Sequence, residues 1–284
     1  MNGRVRWALT EASSAALALA LLIWSLTPVY NMLLIALDRD EGDIEFEGIL
    51  WPPDPSLHSF YTVLTQGHWL LEDFWHQFGN SFFIGLMTMF LTVLIGSLAG
   101  FAFGRMRLSR GWLLVNAPLF TYAVPASFLV IPFSRLMASY GLANSLWAIV
   151  AANVTFATPY AILILQQYAK LIPIELDQAA QIDGASPAQV YRRIYLPLMA
   201  PALAAVGTFA LLLAWNEYLY QYVLLSSTRN MTVAIAIAQF FNSDEAPWNY
   251  MMATAILYAL PPIVIFYALR RFMATGLTRG AVRG

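Results

Sequence analysis

Long apolar runs separated by short polar segments dominate this chain. Six of them reach the roughly 20 residues that a helix needs to cross a hydrocarbon core at about 1.5 Å per residue. They are Ala12–Leu37, Ser81–Gly104, Trp112–Leu136, Ser145–Ala169, Leu198–Leu225 and Trp248–Leu269. Lipid offers the backbone no hydrogen-bond partners, so only helices and closed barrels cross it. These runs lack the period-2 alternation of barrel strands and are too long for them, which predicts an all-α integral membrane protein with six transmembrane helices. The first run has 26 residues, against roughly 7–15 for the apolar core of a secretory signal, and is expected to remain as an uncleaved span.

The polar segments orient these spans. Arg4, Arg6, Arg105, Arg107, Arg110, Lys170, Arg192, Arg193, Arg270, Arg271, Arg279 and Arg283 fall on one side, which is 12 of the 15 basic residues. Only Arg39, Arg135 and Arg229 fall on the other. Basic residues stay inside, so both termini are expected in the cytoplasm of a bacterial inner membrane. The exported side then receives the segment from Asp38 to Asp73, which holds nine of the 16 acidic residues, and within it the proline-stiffened stretch Trp51-Pro52-Pro53-Asp54-Pro55 is not expected to form a regular helix. The expected organisation is a short N-terminus (1–11), a membrane domain (12–273) with an outer loop (38–75) and an inner loop (170–197), and a tail (274–284).

Composition narrows the chemistry. Apolar residues make up 60% of the chain and charged residues 11%, and the mean hydropathy is +0.62. The net charge of −1 gives no reason to expect a nucleic-acid partner. Without cysteine there is no disulfide, thiolate metal site or cysteine nucleophile. The single lysine, Lys170, follows Ala169 rather than glycine, so there is no phosphate-binding loop for ATP. All three histidines, His58, His68 and His76, lie at the outer segment, away from span interiors and in no His-Glu-x-x-His pattern. The chain is therefore expected not to be an enzyme, and to hold no metal or cofactor of its own.

The inner loop carries the densest local signals. Pro173 suits a helix start, Glu175 and Asp177 occupy the first turn, and Gly184 supplies a C-terminal stop. Ser186, Pro187 and Gln189 match the N-cap, N1 and N3 positions of a capping box, so a second helix begins at once and runs to Ile194. On the first helix Leu176, Ala179, Ala180 and Asp183 share a face at spacings of three and four, and its two alanines predict a shallow surface for another protein. By geometry alone the loop reads equally as a connecting helix lying on the membrane.

Ala179-Ala180-x-x-Asp183-Gly184-Ala185 followed by Ile194-x-Leu196-Pro197 resembles the "EAA" loop of ABC importer permeases. Further residues are similar to the maltose-type carbohydrate permease family of binding-protein-dependent importers. They are Asn80-Ser81, Arg105, Asn144-Ser145, Trp215-Asn216-Glu217 and the ending from Gly276 to Gly284, so the likeness covers nearly the whole chain from the second span onward. The resemblance implies the type I permease fold with a cytoplasmic coupling helix. It further implies a complex with a second related permease, a dimer of ATPase subunits that binds ATP and Mg, and an external solute-binding protein. Glu175, Asp177, Gln178, Ala179, Ala180, Asp183, Gly184 and Ala185 would dock on the ATPase, and Leu277, Thr278, Gly280 and Gly284 would reach it from the tail. Gln178 departs from the family, which carries glutamate there, and so keeps the size but loses the charge.

Polar residues at membrane depth face a cavity or a partner. Trp215, Asn216 and Glu217 in the fifth span read either as sugar contacts, with stacking from the indole and hydrogen bonds from the other two, or as packing partners of a neighbouring helix. Gln221, Asn153 and Thr158 are further candidates for a solute path. Gly96, Gly100 and Gly104 form small-xxx-small repeats, where another helix can come close. The cargo expected is a carbohydrate, with a polyol, a glycerol phosphate or another polar organic solute as the alternative. An ion-coupled secondary transporter is disfavoured, because Glu217 alone stands clearly at depth and no internal repeat is evident.

Overall fold

A computed structural model describes residues 3–39, 50–106, 117–242 and 247–280. Among these every regular element is helical. The main helices are α1 (Gly3–Leu37), α2 (His58–Thr65), α3 (Phe74–Arg105), α4 (Ala126–Ser139), α5 (Leu146–Ala169) and α6 (Glu175–Ile182). They continue with α7 (Pro187–Leu198) and α8 (Ala200–Asn216), then α9 (Leu219–Leu224), α10 (Val233–Phe240) and α11 (Trp248–Gly280). Among the described residues four helices are long and apolar enough to cross a membrane, and α7 with α8, bent by 77°, make a fifth if taken as one span.

Two expectations need correction. The third expected span is, over its described part, a 3-10 segment Ala117–Ala123 followed by the 14-residue α4; Pro125 stands between them and ends the first. The fifth is not one helix to Leu225: α8 stops at Asn216, Glu217 is extended, and α9 follows. The segment after it contains α10, whose eight residues are too few to register as a span but bury Val233 and Phe240. By contrast α5 runs unbroken through Pro159.

The chain divides into two compact units. The first comprises the residues up to Phe74 together with Ile237–Tyr258. Among the described side chains of α1 only Leu34 to Leu37 are buried, while Leu17, Leu22, Trp24 and Val29 are more than half exposed. So many bare apolar side chains on one helix require lipid or another helix around it. Within this unit Tyr250 packs between His58 and His68, at ring distances of 6.3 and 5.4 Å.

The second unit comprises Trp75–Ala236 and the segment from Ala259. Its centre is a close pair of helices. A Cβ added at Gly96 would lie 2.8 Å from Ala161 Cβ, one at Gly100 3.0 Å from Leu165 Cβ, and one at Gly104 2.9 Å from Ala169 Cβ. The contacts advance in step, so α3 and α5 run parallel with a constant register, and glycine is required because any side chain would separate them. The small-xxx-small repeat therefore packs within the chain. On another side α8 runs antiparallel to α3, with Gly85 against Leu211 and Trp215 and Gly207 against Met89 and Val93.

At the N-terminal ends of α3 and α5 two asparagines hold the 226–233 segment. Asn80 Nδ2 donates to the carbonyls of Arg229 (2.9 Å) and Met231 (2.8 Å). Asn144, in a left-handed conformation at φ 53°, accepts the Ser226 (2.9 Å) and Ser227 (3.2 Å) amides on Oδ1. Ser81 Oγ accepts the Val233 amide at 3.1 Å. Asn80-Ser81 and Asn144 thus have a structural role that their sequence positions did not reveal.

Candidate functional site

The loop after α5 folds as its sequence predicts. The α6 helix starts after Pro173 with Glu175 and Asp177 in its first turn, where carboxylates offset the positive helix end. It closes with the Ala185 amide on the Ala180 carbonyl (2.9 Å) and the Gly184 amide on that of Gln181 (3.0 Å). This nested pair is the Schellman arrangement, and it needs a left-handed residue, which Gly184 supplies at φ 79°. The α7 helix opens immediately with the predicted capping box: the Ser186 amide donates to Gln189 Oε1 (2.7 Å) and the Gln189 amide to Ser186 Oγ (3.4 Å). From Tyr191 to Tyr195 the helix widens to a π turn before Pro197.

The structure fixes the rotation of α6 and turns one candidate docking residue inward. Asp177 is buried and its carboxylate pairs with Arg105 at the end of α3, Nε to Oδ2 at 3.1 Å. At about 100° per residue, Ala180 lies roughly 60° from Asp177 and Ala179 roughly 160° away. Ala180 is accordingly half-buried, packed against the cluster that contains Leu165, Val190 and Tyr195, while Ala179 points outward. Of the four residues expected on one face, Leu176, Ala179 and Asp183 are exposed and Ala180 sits at the margin, whereas Asp177 is turned inward. Spacing alone leaves the rotation open; a buried ion pair fixes it.

The outward face consists of Glu175, Leu176, Gln178, Ala179, Ile182 and Asp183, and Ile182 is 86% exposed. Beside it lies a groove of about 310 Å³ between α6 and α7, lined by Ala180, Asp183, Gly184, Ala185, Gln189 and Arg193 among others. Ala180 is thus half-buried against the core and also lines this groove. The backbone of α11 continues helically through Leu277, Thr278 and Gly280. Gly284 lies outside the described residues.

Most of the proposed solute contacts have internal partners. Glu217 ends α8, and its carboxylate accepts the Tyr220 (2.7 Å) and Gln221 (3.2 Å) amides at the start of α9. The carboxylate thus satisfies free amides at the N-terminus of α9, as a helix cap does. Gln221 donates Nε2 to the Glu217 carbonyl (2.5 Å) and accepts the Thr232 hydroxyl on Oε1. Trp215 is buried against Gly85. Asn216 is exposed, with Nδ2 on the Leu212 carbonyl at 2.8 Å.

Asn153 and Thr158 behave differently. Asn153 is 1% exposed, and neither its Oδ1 nor its Nδ2 has a hydrogen-bond partner; the Thr158 hydroxyl is likewise buried and unpaired. The hydroxyls of Thr88 and Thr92 on α3 share this condition. The register of the glycine contacts, 96 with 161 and 104 with 169, sets Thr88 level with Asn153. Unpaired buried polar groups cost roughly 1–3 kcal/mol each, so this seam calls for water or another polar guest.

The described residues thus contain a bent helix pair, a close parallel pair and a two-helix loop with an exposed face of mixed polarity. Residues 92–279 match the family "Binding-protein-dependent transport system inner membrane component", and the chain belongs to that family. It is a non-catalytic, multi-pass permease component of the ABC importer class. Among relatives, the chain is 34% identical over 207 residues to the trehalose transport system permease protein SugB of Mycobacterium tuberculosis, covering 72% of this chain and 76% of that one. It is 30% identical over 268 residues to the diacetylchitobiose uptake system permease protein DasC of Streptomyces coelicolor, covering 94% and 95%. Its fold superposes on a chain from the crystal structure of a bacterial ABC transporter involved in the import of the acidic polysaccharide alginate. There the TM-score is 0.77 at 19% identity, over 95% of this chain and 98% of that one. The type I permease fold expected from the sequence is therefore present.

Proposed function

We propose that this chain is one of two related permease subunits of a carbohydrate importer. In this reading α6 is the coupling helix and sits on a dimeric ATPase that binds ATP and Mg. Both termini face the cytoplasm, and an external binding protein delivers the solute to the opposite side. The observation that carries the reading is Ile182, an isoleucine 86% exposed on a short capped helix outside the long apolar helices, beside a groove floored by small residues. An apolar side chain so placed gains by burial in a partner. The relatives named for trehalose and diacetylchitobiose uptake support an oligosaccharide as cargo.

Closure of the ATPase dimer would move α6, and alternating access would follow from the motion of the attached spans. Leu277, Thr278, Gly280 and Gly284 remain candidates for a second contact with the ATPase. Asn216, with Asn153 and Thr158, remains a candidate for the solute path, whereas Trp215, Glu217 and Gln221 position α8 and α9. The test is gentle purification from the native host followed by mass spectrometry of the intact complex. Co-purification of an ATPase and a second permease, with a binding protein that retains an oligosaccharide, is the expected result. A chain that runs alone and transports in proteoliposomes without ATP would overturn it.

A further inference from the structure

Arg105 does more than pair with one carboxylate. Besides its contacts to Asp177, Nε–Oδ2 at 3.1 Å and Nη2–Oδ1 at 3.4 Å, it donates Nη1 to the Ile172 carbonyl at 2.8 Å and Nη2 to the Pro173 carbonyl at 3.3 Å. A planar guanidinium with fixed donor directions is suited to hold several acceptors at once, and an ammonium is not. Both charged side chains are nearly buried, at 5% and 8% exposure, so solvent screens the pair little. The acceptors belong to the connection between α5 and α6 and to the first turn of α6, while Arg105 is the last residue of α3.

The same end of α3 is locked to α5 one residue earlier, where Gly104 leaves room for Ala169. Three elements therefore meet at one point: α3 through Arg105, α5 through Ala169 and its continuing chain, and α6 through Asp177. Below this point α3 and α5 keep the close register of Gly96 and Gly100. Movement applied to α6 cannot be absorbed by bending the 170–174 connection, because Arg105 holds two of its carbonyls.

The geometry points to Arg105 as the positioning residue that makes α6, α3 and α5 a single lever. Force from the partner enters through α6 and reaches both membrane helices, rather than only the covalently attached α5. This rests on the proposed docking of α6 on an ATPase, and it adds that the charged Arg105–Asp177 tie transmits the motion. Coupling of this kind travels through packed and hydrogen-bonded contacts that move together.

The experiment uses the assembled complex in proteoliposomes with Arg105→Gln, Asp177→Asn, the double neutral variant and Arg105→Lys. Three quantities are read: the amount of intact complex, ATP hydrolysis with and without loaded binding protein, and solute uptake. The double variant removes the burden of one unpaired buried charge, so it separates transmission from charge balance. The expected result is complex at wild-type level, with uptake and stimulation by loaded binding protein both reduced about tenfold or more in the double variant. Arg105→Lys should recover part of both, because it keeps the charge but not the fork. Uptake restored in the double variant would reduce the tie to charge balance and overturn the inference. Loss of intact complex in all four variants would make it a folding contact and overturn it equally. If the wild-type complex itself contains no ATPase, the docking reading fails first, which distinguishes the two failures.

Discussion

The loop around α6 and the break around Glu217 both place polar residues at helix ends, yet they use them for opposite purposes. Around α6 the caps are closed within the loop by Gly184, Ser186 and Gln189, which leaves Gln178, Ala179, Ile182 and Asp183 with open space in front of them. At the break the polar groups are consumed internally: Glu217 caps α9, and Gln221 bonds back to Glu217 and across to Thr232. A polar residue at a helix end thus indicates function only when its hydrogen bonds leave a surface free. The difference also separates what should happen on mutation. In the first region a change on the exposed face or groove should disable transport with the spans intact, and in the second it should lower stability and transport together.

The largest effect is expected from Ala180→Arg. A long charged side chain would fill the groove beside Ile182 and strain the packing of α6 on its core. Uptake should fall about 100-fold, the scale of losing a central interface contact, with the chain still inserted and the ATPase lost from the purified complex. A Gly96→Leu variant should come next, since even a Cβ there meets Ala161 at 2.8 Å. Overpacking of this kind costs about 1–3 kcal/mol, and the yield of folded protein in a detergent melt should drop accordingly. Gly184→Val forces a β-branched residue to φ 79° and should cost about 1–2 kcal/mol locally, read as faster amide exchange confined to 180–190. Smallest is Glu217→Ala, which removes a cap worth about 1 kcal/mol; Tm and uptake should decline in proportion. A loss of uptake from Glu217→Ala with unchanged Tm would collapse the contrast between the two regions.

What could be read from the sequence follows the range of the interactions. The helix start at Glu175, the left-handed Gly184 and the capping box at Ser186 depend on residues within five positions of one another, and all three are where the sequence puts them. The small-xxx-small repeat in α3 announced a close helix contact but not the partner, because Ala161, Leu165 and Ala169 are more than 60 positions away. The burial of Asp177 depends on Arg105, 72 positions away, and so Asp177 was counted among the docking residues. The roles of Asn80 and Asn144 were hidden for the same reason, since their acceptors and donors lie 82 to 151 positions along the chain. Glu217 is the instructive exception. Its partners are three and four residues on, but continuous hydrophobicity through Leu225 masked the break that the carboxylate caps.

The absence of cysteine makes a direct test of the central claim simple, because single cysteines can be placed anywhere without background. A photoactivatable benzophenone attached at Ile182, 86% exposed on α6, should cross-link to an ATPase subunit in membranes from the native host. The same probe at Trp24, 81% exposed on α1, should not. Cross-linking from Ile182 that depends on the ATPase and is abolished by Ala180→Arg is the predicted result. Adducts from Ile182 only with lipid, at the level seen from Trp24, would show that α6 lies on the membrane as a connector and would contradict the account.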